Sequence, residues 1–218
     1  MAAPRGRFIT LEGGEGAGKS THARRLAAWL AERGVVVRLT REPGGSPRAE
    51  AIRELLLSGR AAPFGLDAEA LLFAVARADH MEETVRPALG RGEWVICDRF
   101  MDSTRAYQGS AGVATELLDR LEKLAVGPDR PDLTLIFDLP AAEGLARAGA
   151  RGGPADRFEA DSLAMHESRR AAFLAIAGRE PERCVVIDSR QDVEAVAHAV
   201  QEAVRERLGG SLPPGRGV

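Results

Sequence analysis

Residues 13–20 have the types and spacing of a phosphate-binding loop. They read Gly-Gly-Glu-Gly-Ala-Gly-Lys-Ser, which fits the pattern G-x-x-x-x-G-K-[ST] in full. The glycines let successive backbone N–H groups converge on a polyphosphate, and the N-terminus of a following helix adds the positive end of its dipole. The pattern therefore predicts a nucleoside triphosphate site. Its residues are Gly13, Gly14, Glu15, Gly16, Ala17, Gly18, Lys19, Ser20 and Thr21.

Two side chains of this loop, and a carboxylate elsewhere, are candidates for catalysis. Lys19 is expected to reach the β- and γ-phosphates, and the Ser20 hydroxyl to ligate Mg²⁺. Asp98 ends an apolar run, where a carboxylate can hold Mg²⁺ and its waters. Arg99 follows and suits a phosphate, because its planar fork binds one bidentately. A strand-end ion pair is the alternative for these two residues. Asp138 ends a similar run and competes as the acid, but we expect it to cap the next helix.

A pair of side chains on one predicted helix could recognise a base. Phe73 and Arg77 are four residues apart and therefore lie on one helical face. An aromatic ring can stack on a base while a guanidinium donates to its carbonyl oxygens. Without other evidence, a core phenylalanine and a surface arginine explain the pair more simply.

Alternating strand-like and helical segments carry these groups. Short apolar runs, typical of strands covered on both faces, occur at 8–11, 35–40, 94–97, 133–138 and 184–187. Helical patterns occur at 22–33, 47–58, 67–89, 115–125, 141–148, 158–177 and 192–208. The alternation predicts an α/β fold of the P-loop NTPase type, with three layers (α/β/α) around a five-stranded parallel sheet. Ligands should gather at the carboxyl ends of the strands.

Length and composition suit one domain. The chain has 218 residues, of which 44% are hydrophobic, and we expect a single domain over residues 1–208. The glycine-rich, basic run at about 148–157 predicts a mobile flap (LID), and residues 209–218 a flexible tail. The net charge of −2 gives no sign of nucleic-acid binding.

Nothing in the sequence predicts a membrane or secreted protein. No apolar run has membrane length, and the N-terminus is too short and polar for a signal peptide. Cys97 and Cys184 lack metal-ligand spacing and are expected to be buried thiols in a reducing compartment. We therefore expect a cytoplasmic protein.

The residue content narrows the class of P-loop protein. The chain contains no asparagine, so a guanine-reading Asn-Lys-x-Asp motif is absent and a switch GTPase is disfavoured. The chain is also too small for a second ATPase domain. Transfer of a phosphoryl group to a small molecule fits best, since it needs an acceptor pocket, phosphate clamps and exclusion of water.

Longer motifs make the chain resemble the bacterial thymidylate kinase family from residue 8 to about 208. The matching stretches are 11–21, Thr-Arg-Glu-Pro-Gly-Gly at 40–45, 73–80, 98–109 and Asp-Arg-Phe-Glu at 156–159. The stretches at 40–45 and 103–109 are much more specific than the P-loop. The resemblance implies transfer of the γ-phosphate of ATP to dTMP, with Mg²⁺ held near Ser20 and Asp98. It also implies a homodimer packed through helices.

The resemblance assigns roles in recognising the acceptor. Phe73 is expected to stack on thymine, Arg77 to bond the base, and Thr104 and Gln108 to lie beside it, Gln108 in a Tyr-Gln-Gly turn. Tyr107 is expected to pack under the sugar and exclude a 2′-hydroxyl. The other dTMP-binding residues implied are Glu15 at the 3′-hydroxyl, Arg53 and Arg99 on the acceptor phosphate, Glu42 near the metal and acceptor, and Ser103.

The flap is expected to supply further positive charge. One class of the family places a basic residue inside the P-loop, but the positions concerned, 14–17, carry none here. The class that resembles this chain brings arginines from the flap instead. Arg147, Arg151 and Arg157 are available, and we expect Arg151 first, because glycines on both sides permit closure. The catalytic set is then Lys19, Asp98, Arg151 and Arg147.

Two alternatives stay open. The first is a P-loop kinase for another deoxynucleotide or a deoxynucleoside. A nucleoside, however, would not need two arginines, Arg53 and Arg99, to bind an acceptor phosphate. The second is a nucleotide-dependent switch or binding module, which the acceptor motifs disfavour.

Overall fold

The structure, a computed structural model, describes residues 5–150, 152 and 157–212. Its centre is one sheet in which all neighbouring strands run parallel, in the order β2-β3-β1-β4-β5. The strands are β1 (Phe8–Gly13), β2 (Val37–Arg41), β3 (Trp94–Asp98), β4 (Leu133–Asp138) and β5 (Cys184–Asp188). The prediction of a five-stranded parallel sheet is confirmed. The strand before the P-loop, β1, is the central one.

Helices connect the strands and cover the sheet. Within the described residues they are α1 (Lys19–Ala31), α2 (Pro47–Leu57), α3 (Leu66–His80), α4 (Arg86–Gly90), α5 (Met101–Ser110), α6 (Thr115–Ala125), α7 (Ala141–Ala150), α8 (Leu163–Arg179) and α9 (Val193–Leu208). Short 3₁₀ turns occupy Ala62–Phe64 and Gly209–Ser211. No described helix is long and apolar enough to cross a membrane.

The two faces of the sheet bury different clusters. On one face, side chains such as Ile9 and Ile96 pack with Leu26 of α1 and Val200 of α9. The other face carries two clusters to which α2, α3, α4, α5, α6 and α8 contribute. Successive strand residues point to opposite faces, so the three inner strands β1, β3 and β4 are buried along nearly their whole length, whereas the edge strand β2 is partly exposed. The result is the three-layer α/β/α arrangement.

Several predicted helix bounds are wrong. The single helix expected at 67–89 is three segments, because α3 ends at His80, a π-helical turn spans Met81–Val85 and α4 follows. Pro87, which has no N–H to donate, lies in the first turn of α4. The helix expected at 158–177 begins at Leu163, where the Ser162 side chain accepts a hydrogen bond from the Met165 N–H at 3.3 Å.

Helix α5 was not predicted at all. Its sequence contains Gly109 and many polar residues, so it lacks an apolar stripe of helical period. Tyr107 and Gln108 therefore lie inside a helix, and the turn expected there is wrong. This helix directly follows β3 and presents its residues at the carboxyl edge of the sheet.

Candidate active site

A cavity of about 240 Å³ lies at the carboxyl ends of the central strands. Most of the residues predicted to bind either nucleotide line it. The lining comprises Glu15, Gly16, Ala17, Gly18, Lys19, Ser20, Thr21, Arg41, Glu42, Pro43, Arg53, Leu57, Phe73, Arg77, Asp98, Arg99, Phe100, Ser103, Thr104, Tyr107, Gln108 and Phe158. The P-loop and the proposed acceptor residues thus share one cavity.

The P-loop requires glycine where it touches α7. Gly16 has φ 66°, and a Cβ there would lie 2.0 Å from the Gly144 carbonyl oxygen. Gly13 and Gly14 lie outside the lining, and their carbonyl oxygens accept hydrogen bonds from Lys19 Nζ at 3.0 and 2.6 Å. Burial, together with the charge of Arg99, lowers the pKa of Lys19 to about 8.

The two predicted metal ligands are adjacent. The Ser20 hydroxyl, in the first turn of α1, donates to Asp98 Oδ2 at the end of β3. Parallel pairing places Asp98 opposite Leu11 of β1, just ahead of the P-loop. The pair offers hard oxygen donors of the type that Mg²⁺ prefers.

Glu15 joins the P-loop to the acceptor side of the cavity. Its Oε1 accepts from Arg99 Nη2 and from the Tyr107 hydroxyl, both at 2.6 Å. Burial alone would raise its pKa, but the charges of Arg99 and Lys19 outweigh burial and lower the pKa of Glu15 to about 2. The carboxylate is therefore directed toward Arg99 and Tyr107. Burial raises the pKa of Tyr107, so this phenol is a hydrogen-bond donor.

The backbone of Arg99 is strained. Its φ of 66° lies in the left-handed region that non-glycine residues rarely adopt. Its Nη1 also donates to the Gly13 carbonyl oxygen at 3.1 Å. Contacts at both Nη1 and Nη2 hold the guanidinium between the P-loop and the Tyr107 ring, whose centroid is 5.0 Å from the Arg99 Cζ.

The far end of the cavity is aromatic. Phe73 lies 6.1 Å from Phe158, and Tyr107 meets Phe158 edge-on at 5.7 Å between ring centroids. Arg169 of α8 also lies over the Tyr107 ring, with its Cζ 4.4 Å from the ring centroid. Gln108 lines the cavity and is almost fully buried. Phe158 and Arg169 were not predicted as site residues, since their neighbours in space are distant in sequence.

Arg77 is buried, so the simpler interpretation of this residue as a surface arginine is wrong. Its Nε donates to Glu42 Oε2 at 2.7 Å, and its Nη2 donates to the Phe100 carbonyl oxygen and the Thr104 hydroxyl, both at 3.0 Å. The Glu42 carboxylate therefore forms a buried ion pair with Arg77, while the Glu42 N–H donates to the Asp98 carbonyl oxygen at 3.0 Å.

Two further predicted residues fit the same lining. Arg53 of α2 donates to the Pro43 carbonyl oxygen at 2.7 Å. The Ser103 hydroxyl, in the first turn of α5, donates to Glu12 Oε2 at 2.6 Å.

The predicted flap arginines are in different places. Arg147 lies outside the cavity lining and donates to the Ser189 carbonyl oxygen at 2.9 Å, so the structure does not bring it to Lys19. Arg157 donates to Glu69. Arg151 and residues 153–156 lie outside the described residues.

The helix-capping role expected for Asp138 is wrong. Asp138 is paired with Arg170, whose Nε and Nη2 donate to its two oxygens at 2.6 and 3.1 Å. The Ala141 N–H at the start of α7 donates instead to Glu167 at 2.8 Å. A carboxylate from the neighbouring helix α8 therefore takes the place of a local cap.

Glu12 is a site-forming residue that the sequence reasoning missed. It is fully buried, and its Oε1 accepts from the Phe100 and Ser103 N–H groups at 2.8 and 3.2 Å. These groups lie at the N-terminus of α5, which has no cap of its own. Burial, with the nearby charge of Asp102, raises the pKa of Glu12 to about 7. The sequence does contain a feature that could have identified Glu12, since it is a charged residue in a mostly apolar central strand.

A parallel sheet of this order, with a glycine-rich phosphate loop after its central strand, defines a P-loop nucleotide-binding protein of the α/β class. The family model described as Thymidylate kinase matches residues 11–200. The chain belongs to the thymidylate kinase family.

Individual relatives agree with the family match. The thymidylate kinase of Caulobacter vibrioides is 57% identical over 205 residues, covering 94% of this chain and 98% of that protein. The thymidylate kinase of Bradyrhizobium sp. (strain ORS 278) is 55% identical over 207 residues, covering 94% of this chain and 92% of that protein. The crystal structure of thymidylate kinase from Ehrlichia chaffeensis has a TM-score of 0.75 at 34% identity, covering 92% of this chain and all of that one.

Proposed function

We propose that this protein transfers the γ-phosphate of ATP to dTMP and releases dTDP and ADP. One observation carries the proposal: the same cavity is lined by Arg53, Arg99, Phe73 and the P-loop. Arg53 and Arg99 suit an acceptor that already carries a phosphate, and Phe73 suits a base. The names of the relatives support thymidylate as that acceptor.

In this mechanism an oxygen of the dTMP phosphate attacks the γ-phosphorus of ATP, and the bond from that phosphorus to the β,γ-bridging oxygen breaks. The attacking oxygen belongs to a phosphate, so no strong general base is needed. Catalysis then depends mainly on the positioning of the two substrates and on positive charge that stabilises the transition state. Lys19 would lie beside the β- and γ-phosphates, where burial strengthens the attraction between its positive charge and theirs.

Ser20 and Asp98 would hold Mg²⁺. Among the described residues no group of three or more His, Cys, Asp or Glu side chains could bind a metal ion, and Mg²⁺ characteristically uses one or two protein oxygens with substrate phosphates and waters. When bound, the ion neutralises charge on the transferring phosphoryl group.

The acceptor would lie between Phe73 and Arg99. Phe73 would stack on the base, and Arg77, held by Glu42, would bond it together with Thr104, Ser103 and Gln108. Tyr107, anchored through Glu15, would close the space beneath the sugar. Glu15 would meet the 3′-hydroxyl.

The flap residues complete the proposal. We assign to Arg151 the main role in stabilising the transferring phosphoryl group from the flap at about 148–157. Arg147 would contribute only after leaving Ser189, since its guanidinium is engaged there. Residues 1–208 would form the single catalytic domain, with 209–218 as a tail.

We also propose a homodimer in the cytoplasm. Apolar side chains are exposed on and just before α3, and Leu71 and Val75 lie one turn apart on that helix. A second copy packing there would cover them. Light scattering after gel filtration should give a dimer, and Val75→Arg should shift it to monomer. A wild-type monomer would contradict the homodimer.

The cytoplasmic location is supported by the two cysteines, which are free and buried and so agree with a reducing compartment.

The test uses Arg53→Ala with Arg179→Ala as a matched control, because Arg179 is exposed at the C-terminal end of α8. Coupled ADP release is measured with dTMP and with thymidine. We expect turnover with dTMP and not with thymidine. The KM for dTMP should rise about tenfold or more in Arg53→Ala, and the control should show wild-type kinetics. Faster turnover with thymidine, or an unchanged KM, would contradict the acceptor site.

A further inference from the structure

A chain of hydrogen bonds lies behind the base end of the cavity. The Thr40 hydroxyl contacts His80 Nε2 at 2.8 Å, and His80 Nδ1 contacts Glu42 Oε1 at 2.9 Å. The other oxygen of Glu42 accepts from Arg77 Nε at 2.7 Å, and Arg77 Nη2 donates to Thr104 at 3.0 Å. These five residues come from three segments that are far apart in sequence, and His80 has no role in the mechanism above.

The direction of the bonds follows from the chemistry of the groups. A carboxylate oxygen only accepts, so Nδ1 of His80 carries the proton that is donated to Glu42. His80 is 0% exposed and does not line the cavity, so its contact with Glu42 is made in the protein interior and not at the surface. Glu42 is thus held between an imidazole and a guanidinium, one at each oxygen.

A separate feature clamps the imidazole ring. Gly45 has φ 85°, and a Cβ at this position would lie 2.5 Å from His80 Cδ2 and Nε2 and 2.6 Å from Thr40 Oγ1. The Gly45 backbone is itself fixed, because its carbonyl accepts from Thr84 at 2.7 Å and its N–H donates to Glu50 at 3.0 Å. The loop after β2 therefore packs directly against the ring.

These contacts determine how the guanidinium plane of Arg77 is oriented. Its Nε and Nη2 are both engaged, and two such contacts define the plane of the group. If Glu42 turned away, only the Nη2 contacts would remain and the plane could rotate. His80 is the group that prevents Glu42 from turning.

We infer that His80 is a positioning residue, which orients Glu42 and through it fixes Arg77 for recognition of the acceptor base. The inference rests on the proposed function, because it assigns Arg77 to the base of dTMP. It predicts that His80 affects binding of dTMP and not binding of ATP.

The test compares two amides that each mimic one nitrogen of the ring. The amide nitrogen of Asn is attached at Cγ, like Nδ1 of His, whereas that of Gln is attached one atom further, like Nε2. His80→Asn therefore keeps the donor to Glu42 and loses the Thr40 contact. His80→Gln keeps a contact with Thr40, whose hydroxyl then accepts from the amide nitrogen, and loses the donor to Glu42. Both are polar and smaller than or similar to His, so the pair controls for general packing.

The readouts are the Kd of dTMP measured calorimetrically without ATP, and the KM values of both substrates. For His80→Gln we expect dTMP affinity to fall by about 10-fold to 100-fold and the KM for ATP to stay within about twofold. His80→Asn should restore most of the dTMP affinity. Wild-type dTMP affinity in His80→Gln, or equal losses for both substrates in both variants, would overturn the inference. A wild-type protein that does not bind dTMP would instead contradict the proposed function.

Discussion

The buried acid Glu12 provides a quantitative test of how β1 and α5 are joined. Its pKa is raised from the ordinary 4.5 to about 7, chiefly because burial disfavours the charged form. The substitution Glu12→Gln imitates the protonated acid. The amide oxygen can still accept from the Phe100 and Ser103 N–H groups, and the amide nitrogen can donate to the Ser103 hydroxyl.

The sign of the pH effect follows from linkage. A group whose pKa is higher in the folded state stabilises the fold fully below its unfolded pKa, and that contribution is lost as the pH rises through its folded pKa. For Glu12 the window runs from 4.5 to about 7. Each pH unit is worth about 1.4 kcal/mol, so the free energy of unfolding of the wild type should fall by roughly 3 kcal/mol relative to Glu12→Gln across it.

The assay is urea unfolding at about pH 5 and about pH 8, followed by tryptophan fluorescence. Trp29 and Trp94 are buried, so their emission reports loss of the core. Glu206→Gln, at an exposed position of α9, is the matched control and should show no such pH-dependent difference. A difference between wild type and Glu12→Gln that is the same at both pH values would refute the reasoning.

Three further substitutions test single roles. Arg99→Lys loses the fork that contacts Glu15 and Gly13, so initial rates should show a KM for dTMP raised about tenfold or more. Tyr107→Ala should lower the ratio of kcat/KM for dTMP over its ribonucleotide counterpart, and an unaltered ratio would remove Tyr107 as selector. Arg151→Ala should lower kcat about 100-fold while both KM values change little, and unchanged turnover would exclude this arginine.

Much of the fold was predictable because its signal is local. Five apolar runs of strand length separated by helical periods fixed the class of sheet, and the P-loop marked which strand precedes the phosphate site. Bounds shifted by a few residues where caps decide them, as at Ser162. Each of these signals lies within a few residues of the element that it predicts.

The rest depends on contacts between distant segments. Helix α5 is held at its N-terminus by Glu12, about ninety residues earlier, so its own sequence shows little helical signal. The partner of Asp138 is Arg170 of α8, which no local pattern reveals. Arg77 is buried because Glu42 and Thr104 receive its donors. Such pairings become visible only when the chain is folded.

The central claim is that this cavity transfers a phosphoryl group from ATP to dTMP, and the product measures it most directly. Purified protein is incubated with ATP, Mg²⁺ and dTMP, and the nucleotides are separated by chromatography. We predict that dTDP and ADP form in equal amounts, and that neither accumulates when dTMP is omitted. ADP formed without dTDP, or no consumption of ATP in the presence of dTMP, would contradict the account.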